Sequence, residues 1–374
     1  MNTEQQLPGR TGRSRLSRRG FNLAAGSTML TGAMGWSSNR QLVGAETGTA
    51  SSAAKVPLGF DNFSIRANKW KADKLIEFAA EQKVDALLFS DLEVYENHET
   101  KYLKQLKSKL NDAGIIVQAG TGGICPTSAK FDSKKWGTAE EHLRLGIRVA
   151  QDIGSSVFRC YLGSQKDRFG KGGIQRHIAS TVEVLKKVRS QAIDANVTIA
   201  VENHAGDMQA WELVGLIEAA GKDFVGATID SGNATWALEH PLDNLEILGP
   251  YAVSSGIRDS TIWETTDGCK VAWNAIGEGQ LDWKKYTTRF AELCPGVPLQ
   301  LEIISGFNKS FEFNKADFWK AYPDAKASQF NRFLELARAG KEVAKGESGS
   351  AKYQLNELLK SIKYCKQELG IGLK

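Results

Sequence analysis

Three short runs in this chain carry a carboxylate at or near their C-terminal end: TIAVE (198–202), VGATID (225–230) and LQLEI (299–303). In each, bulky residues alternate with small or polar ones. Ile199 and Val201 oppose Ala200 and Glu202; Val225, Ala227 and Ile229 oppose Gly226, Thr228 and Asp230; Leu299, Leu301 and Ile303 oppose Gln300 and Glu302. A period of two is that of a strand, whose successive side chains face opposite ways. Each run therefore delivers one acid to one face. Were the strands to share a barrel, Glu202, Asp230 and Glu302 would converge at one end, repel one another and raise their own pKa values. A divalent metal resolves that conflict and explains all three together, whereas any one of them alone could cap its strand or pair with an Arg or Lys. Such a centre suits metal-assisted acid–base chemistry.

Other polar residues fall near these runs. His204 shares the parity of Glu202 two positions on, where the strand turns into its loop, so a substrate hydroxyl contact or a bond that orients a ligand is the preferred reading over direct ligation. Arg159, in VFRCY, has a parity that sends it inward. Since a buried Arg must be paired, it balances the acidic centre or binds a substrate oxygen. Arg258 has the same choice, and Asp259 reads as a cap for the next segment of chain. Lys166, Asp167, Arg168 and Lys171, in GSQKDRFGKGG, are suited to an anionic group, but a solvated charged loop is the preferred reading.

These residues need a scaffold that repeats strand and helix. Candidate strands are VPLGF (56–60), VDALLFS (84–90), GIIVQAG (114–120), SSVFRCYL (155–162), VTIAVEN (197–203), FVGATID (224–230), YAVSSGI (251–257) and VPLQLEII (297–304). Helical periodicity marks 71–82, 140–154 and 178–194 between them. Alternating βα units imply a parallel sheet, and their number and span imply an α/β fold of the (β/α)8 TIM-barrel type, with an open doubly wound sheet as runner-up. No G-x-G-x-x-G follows a strand, which argues against a dinucleotide site. Residues 326–342 read as the helix that closes the barrel, 351–370 as a helical C-terminal extension, and the Phe-rich 306–322 as a cover for the mouth.

VENHAGD, TIDSGNATWAL, SGIRDS, IGEGQLDW and LQLEI, in this order, resemble the sugar phosphate isomerase/epimerase family with the xylose isomerase-like TIM barrel. The resemblance covers most of residues 56–305. It implies one divalent cation, manganese first with magnesium or cobalt as alternatives, held by Glu202, Asp230 and Glu302. It further implies that Glu202 and Glu302 are the catalytic pair moving a proton next to a carbonyl. Where relatives carry His-x-Lys-Asp, this chain reads Gly256-Ile257-Arg258-Asp259. The fourth ligand, a histidine, is replaced by Gly256, whose parity is nonetheless inward. The function implied is an isomerase or epimerase acting on a sugar or polyol. The alternatives are a dehydratase or lyase on an oxidised sugar, and a sugar-binding barrel that has lost catalysis.

The N-terminus reads differently. SRLSRRGFNL (14–23) resembles a twin-arginine export signal, followed by a weakly apolar stretch from Phe21 to Trp36 that is shorter than the ~20 residues a membrane span needs. Residues 1–45 are expected to be that signal, 46–55 a linker, 56–342 the barrel and 343–374 the extension. The expected location is periplasmic or otherwise extracytoplasmic, with no stable membrane anchor after processing. Removing the six arginines and one glutamate of residues 1–45 from 48 basic and 43 acidic side chains leaves 42 of each. A neutral chain lacks the field that drives non-specific nucleic-acid binding, and five scattered cysteines without C-x-x-C give neither a disulfide framework nor a zinc knuckle. The partner expected is a small carbohydrate; a homo-oligomer is compatible with these features.

Overall fold

The computed structural model describes residues 56–374; the expected signal peptide and linker lie outside them. The strands in chain order are β1 Leu58–Asp61, β2 Ala86–Phe89, β3 Ile116–Gly123, β4 Val157–Tyr161, β5 Thr198–Glu202, β6 Val225–Asp230, β7 Ala252–Gly256, β8 Asp259–Thr265, β9 Gly268–Asn274, β10 Leu299–Leu301 and β11 Asn308–Phe311. Eight of them form a parallel sheet in the order β10-β1-β2-β3-β4-β5-β6-β7. The seam between its ends is drawn together at Ile257, which donates to the Gln300 carbonyl at 2.7 Å and accepts from the Glu302 N–H at 3.0 Å. Below that point the Ser255 hydroxyl bridges the Pro298 carbonyl and the Gln300 N–H, at 2.8 and 2.9 Å. This is a (β/α)8 TIM barrel, and all eight expected strands belong to it.

The alternation read from sequence sets the two faces. Ile199, Val201, Ala227, Ile229, Leu299, Leu301 and Ile303 are buried in the apolar layer between barrel and helices. The inward side chains of the middle layer are polar: Gln118 accepts from Ser254 at 2.7 Å and from Gln300 at 3.4 Å. The helices end where local chemistry stops them. Thr138 and Glu141 form a capping box that starts the helix Ala139–Ile153, and Gly154 ends it at φ 83°, a conformation natural to glycine.

Two elements of the C-terminal third differ from expectation. After β7 the chain forms the antiparallel hairpin β8–β9 before its next helix, and β11 adds to β9 to complete a three-stranded sheet. The two C-terminal helices exchange roles. Residues Ala327–Ala339, expected to close the barrel, bury Phe333 and Ala337 in a separate cluster with Ile262, Val271 and Phe311 of the small sheet. The helix Ala351–Gln367, expected as an extension, instead inserts Leu358, Ile362 and Cys365 into the main barrel core. The Phe-rich 306–322 does supply Phe311, Phe313 and Phe318 to the separate cluster. All five cysteines are buried and unpaired, as expected for inert thiols, and no helix among the described residues is long and apolar enough to cross a membrane.

One contact shows how closely helix and strand approach. A Cβ on Gly146 would lie 1.9 Å from the Phe158 ring, whereas one on the exposed Gly215 would meet nothing within 4 Å. Gly146→Ala is expected to destabilise the fold by about 1–3 kcal/mol through overpacking. Gly215→Ala, in a helix interior, should be neutral or stabilising by up to about 1 kcal/mol. Urea unfolding of the two variants checks both.

Candidate active site

Strands β5, β6 and β10 bring their acids together as parity requires. Glu202, Asp230 and Glu302 are all buried, and one carboxylate oxygen of each lies within 4.8 Å of the other two. Neighbouring backbone groups fix them. Asp230 caps the helix Ser231–Trp236 by accepting the Asn233 N–H at 2.7 Å. The Asn203 amide brackets the Asp230 main chain, bonding its carbonyl and its N–H, each at 2.9 Å. The Asn233 side chain then donates to both Glu202 Oε1 at 2.9 Å and Asp230 Oδ2 at 2.8 Å.

Two buried arginines interleave with the acids. Arg159 bonds Glu202 through its guanidinium and the Thr121 carbonyl at 3.1 Å. Arg258 reaches Asp230 and, at 2.5 Å, Glu302, with one and the same Nη2. Both inward parities are therefore observed, and both arginines balance the acidic centre. The Nε and Nη1 of Arg258 are buried without a partner.

A fourth acid belongs to the group. Asp61, at the end of β1, accepts from the Ser90 hydroxyl at 2.5 Å and the Phe63 N–H at 2.7 Å, and it is as deeply buried as the others. Burial, reinforced by the charge of Glu302, pushes its carboxyl up to about 8. Burial likewise raises Glu202 to about 7, against the downward pull of Arg159. Asp61, Glu202, Asp230 and Glu302 face two buried guanidiniums, with the half-buried Arg66 near Asp61 and Glu302, so the fully ionised centre is short of positive charge.

Above the acids opens a cavity of about 430 Å³. Arg159, Arg258, Asn233 and Glu302 reach its wall; Glu202 and Asp230 do not, and lie behind the groups that bond them. Trp136, Tyr161, Trp236 and Trp273 give the wall four large aromatic rings. His204 also lines it, stacked on Tyr161 with ring centroids 3.6 Å apart. Its Nδ1 donates to the Gly163 carbonyl at 2.7 Å. Burial and the charge of Arg159 hold its pKa well below the usual value, so the ring is neutral and Nε2 keeps a lone pair. His204 is not among the groups that converge on the acids.

Gly256 faces the acids, as its parity requires. A Cβ on Gly256 would point at the acids, 3.0 Å from Glu302 Oε2 and 3.5 Å from Asp230 Oδ2. Asp259 has a structural part. It accepts the N–H groups of Gly277 and Gly279 at 3.1 and 2.9 Å and the Trp283 indole at 2.7 Å, which folds the IGEGQLDW segment onto the end of β7. Within GSQKDRFGKGG, Lys166 and Lys171 are exposed, as a solvated loop requires. Arg168 departs from that reading. It is buried in a two-bond pair with Glu212, at 2.7 and 3.0 Å.

A family model described as "Xylose isomerase-like TIM barrel" matches residues 74–317, more than half of the chain. The chain belongs to this xylose isomerase-like family. Its barrel resembles that of a D-psicose 3-epimerase solved in the presence of D-fructose, at 14% identity and a TM-score of 0.56 over 84% of this chain and 99% of that one. It also resembles that of the IOLI protein solved with a zinc atom, at 15% identity and a TM-score of 0.52 over 74% and 96%. YihM, an uncharacterised protein of Escherichia coli strain K12, is 25% identical over 150 residues; the match spans 40% of this chain and 43% of YihM.

Removing one partner of a buried pair costs about 3–5 kcal/mol. Arg159→Met is expected to approach that loss only above pH 7, because without the downward pull of Arg159 the Glu202 carboxyl rises further and must hold a proton or stay ionised without its guanidinium. A carboxyl whose folded pKa is raised favours the folded state at low pH and loses that advantage as pH rises. The deficit should therefore be smaller at pH 5, where Glu202 is protonated with or without Arg159, than at pH 8, where wild type holds it ionised against the guanidinium. Urea unfolding at the two pH values reads the difference.

Proposed function

We propose that this barrel is a metal-assisted isomerase or epimerase that moves a proton next to the carbonyl of a sugar or polyol. The observation that carries the reading is the excess of acid over buried guanidinium among carboxylates whose oxygens already converge. The donor set fits a hard divalent cation. Three carboxylate oxygens mutually within 4.8 Å can share one ion at ~2.0–2.6 Å each, and an all-oxygen set favours manganese or magnesium over zinc. Glu202, Asp230 and Glu302 would hold it. The epimerase and zinc-bound relatives of the same barrel support this choice of chemistry.

A cation held there supplies Lewis-acid polarisation of a substrate carbonyl and a neighbouring hydroxyl. The chain's own groups do the rest. Glu302, on the cavity wall, is the acid–base group that reaches a substrate carbon from the open side; Glu202, behind Arg159 and Asn233, is the second member of the pair. His204 accepts a substrate hydroxyl through Nε2, and the aromatic wall packs against the apolar face of a sugar ring. Arg258, whose Nε and Nη1 are without partners, would donate to the substrate oxygens were Glu302 to bond a cation in its place.

The double contact of Arg258 with Asp230 and Glu302 supports a second reading, in which its guanidinium stands permanently in the place of the metal and the barrel binds sugar without turning it over. Metal titration separates the two. The first reading predicts one manganese per chain and its loss in Asp230→Asn and Glu302→Gln. It also predicts binding about tenfold or more tighter in Gly256→His, which restores the fourth ligand. Because Asp61 and Glu202 hold protons near neutral pH, metal binding should release protons and strengthen from pH 6 to pH 8. Calorimetry in buffers of different ionisation enthalpy reads the release. No binding by wild type together with binding gained in Arg258→Ala would favour the second reading, and absence of binding in both would contradict a metal site at these acids.

A further inference from the structure

A second cavity, of about 270 Å³, lies between the small sheet, the helix Ala351–Gln367 and the strap 340–350 that joins the last two helices. It shares one residue, Trp273, with the cavity above the acids. The chain leaving β10 divides the two: Ile304 lines the first and Ser305 the second. None of the acids, arginines or His204 of the candidate active site reaches it. The strap is tied across it by the Gly346 N–H, which donates to the Gly306 carbonyl at 3.0 Å.

The lining combines aromatic surface with balanced charge. Trp273, Phe307 and Tyr353 supply rings. Glu278 and Glu357 both pair with Lys360, at 2.7 and 2.6 Å, and the exposed Lys345 of the strap adds a second ammonium, so two carboxylates meet two cations. The Ser305 hydroxyl donates to Glu357 at 2.9 Å. Asn274, at the end of β9, is left over. It is buried, and its side-chain oxygen has no partner among the described residues, a state that buried amides rarely keep. A half-turn of the amide presents either its oxygen or its nitrogen to the cavity.

These features narrow the ligand. A cation would meet Lys345 and Lys360, and an anion would meet Glu278 and Glu357, so neither gains a net attraction. A neutral molecule rich in hydroxyls suits the lining, because each hydroxyl can donate to a carboxylate or to the Asn274 oxygen and accept from an ammonium, while the C–H groups pack on the rings. The volume falls just below the ~300–1,000 Å³ of drug-sized pockets, which suits a single ring. We infer that this cavity is a second carbohydrate site, which binds one neutral polyhydroxylated ring apart from any reacting substrate. The inference uses neither a metal nor a reaction at the acidic centre.

The test uses 1,5-anhydroglucitol and methyl glucopyranoside, sugar rings without a free carbonyl. Crystals of the chain soaked with 1,5-anhydroglucitol should show the ring in contact with Asn274. Calorimetry should show affinity falling about tenfold or more in Asn274→Leu, which removes the amide, and in Ala344→Trp, which fills the cavity from the exposed strap. Both variants should unfold in urea no earlier than wild type, since the amide removed had no partner. Glucosamine and glucuronate, of opposite charge, should bind no more tightly than the neutral rings. A ring bound only above the acids, unchanged affinity in either variant, a charged analogue bound about tenfold more tightly, or no binding of either neutral ring up to about 10 mM overturns the inference.

Discussion

The architecture of the barrel mouth depends on the burial of four carboxylates against two guanidiniums. Ionised acids removed from water must find opposite charge or keep their protons, and Asp61 and Glu202 are both pushed toward neutral pH by burial. Much of the surrounding structure serves this balance. Asn233 ties Glu202 to Asp230, Asn203 holds the Asp230 main chain, and Arg159 and Arg258 each come from the strand or strand end beside the acid they bond. Ionising Asp61 and Glu202 as well would call for further positive charge at the centre.

The small sheet gives this balance a particular form. Trp273, from β9, supports the Arg258 guanidinium on one face and Trp236 on the other. The hairpin is therefore part of the site, because it holds the one arginine that touches two of the acids. Gly256 is its counterpart: its lack of a side chain lets Glu302 and Asp230 come close to the strand, where a Cβ would lie 3.0 and 3.5 Å from their oxygens. An arginine bonded to two acids and a glycine beside both define how this chain differs from the family pattern of a strand-seven histidine.

Much of the fold and the acidic triad was legible because parity is a strict geometric rule. Ile199 and Val201 face the helices, so Glu202 faces inward, and the same reasoning places Asp230 and Glu302. Asp61 follows the same parity as Gly59, but the strand reading stopped at Phe60, one residue before it. Asn233 was missed although its distance of three residues from Asp230 is the spacing of a helix cap. The β8–β9 hairpin was missed because a helix was expected after strand seven, despite the alternation in DSTIWET and the Asp267-Gly268 turn signal. Which C-terminal helix closes the barrel was not legible. Both are amphipathic, and only tertiary packing distinguishes the surface each covers.

The central claim is that the acidic centre is completed by a divalent cation. A crystal structure of the chain grown with manganese, with anomalous scattering recorded at the metal edge, tests it most directly. The account predicts a single anomalous peak bonded to one oxygen each of Glu202, Asp230 and Glu302, with Arg258 swung away from Glu302 toward the cavity. No peak at the acids, with Arg258 still bonded to both Asp230 and Glu302, would contradict it.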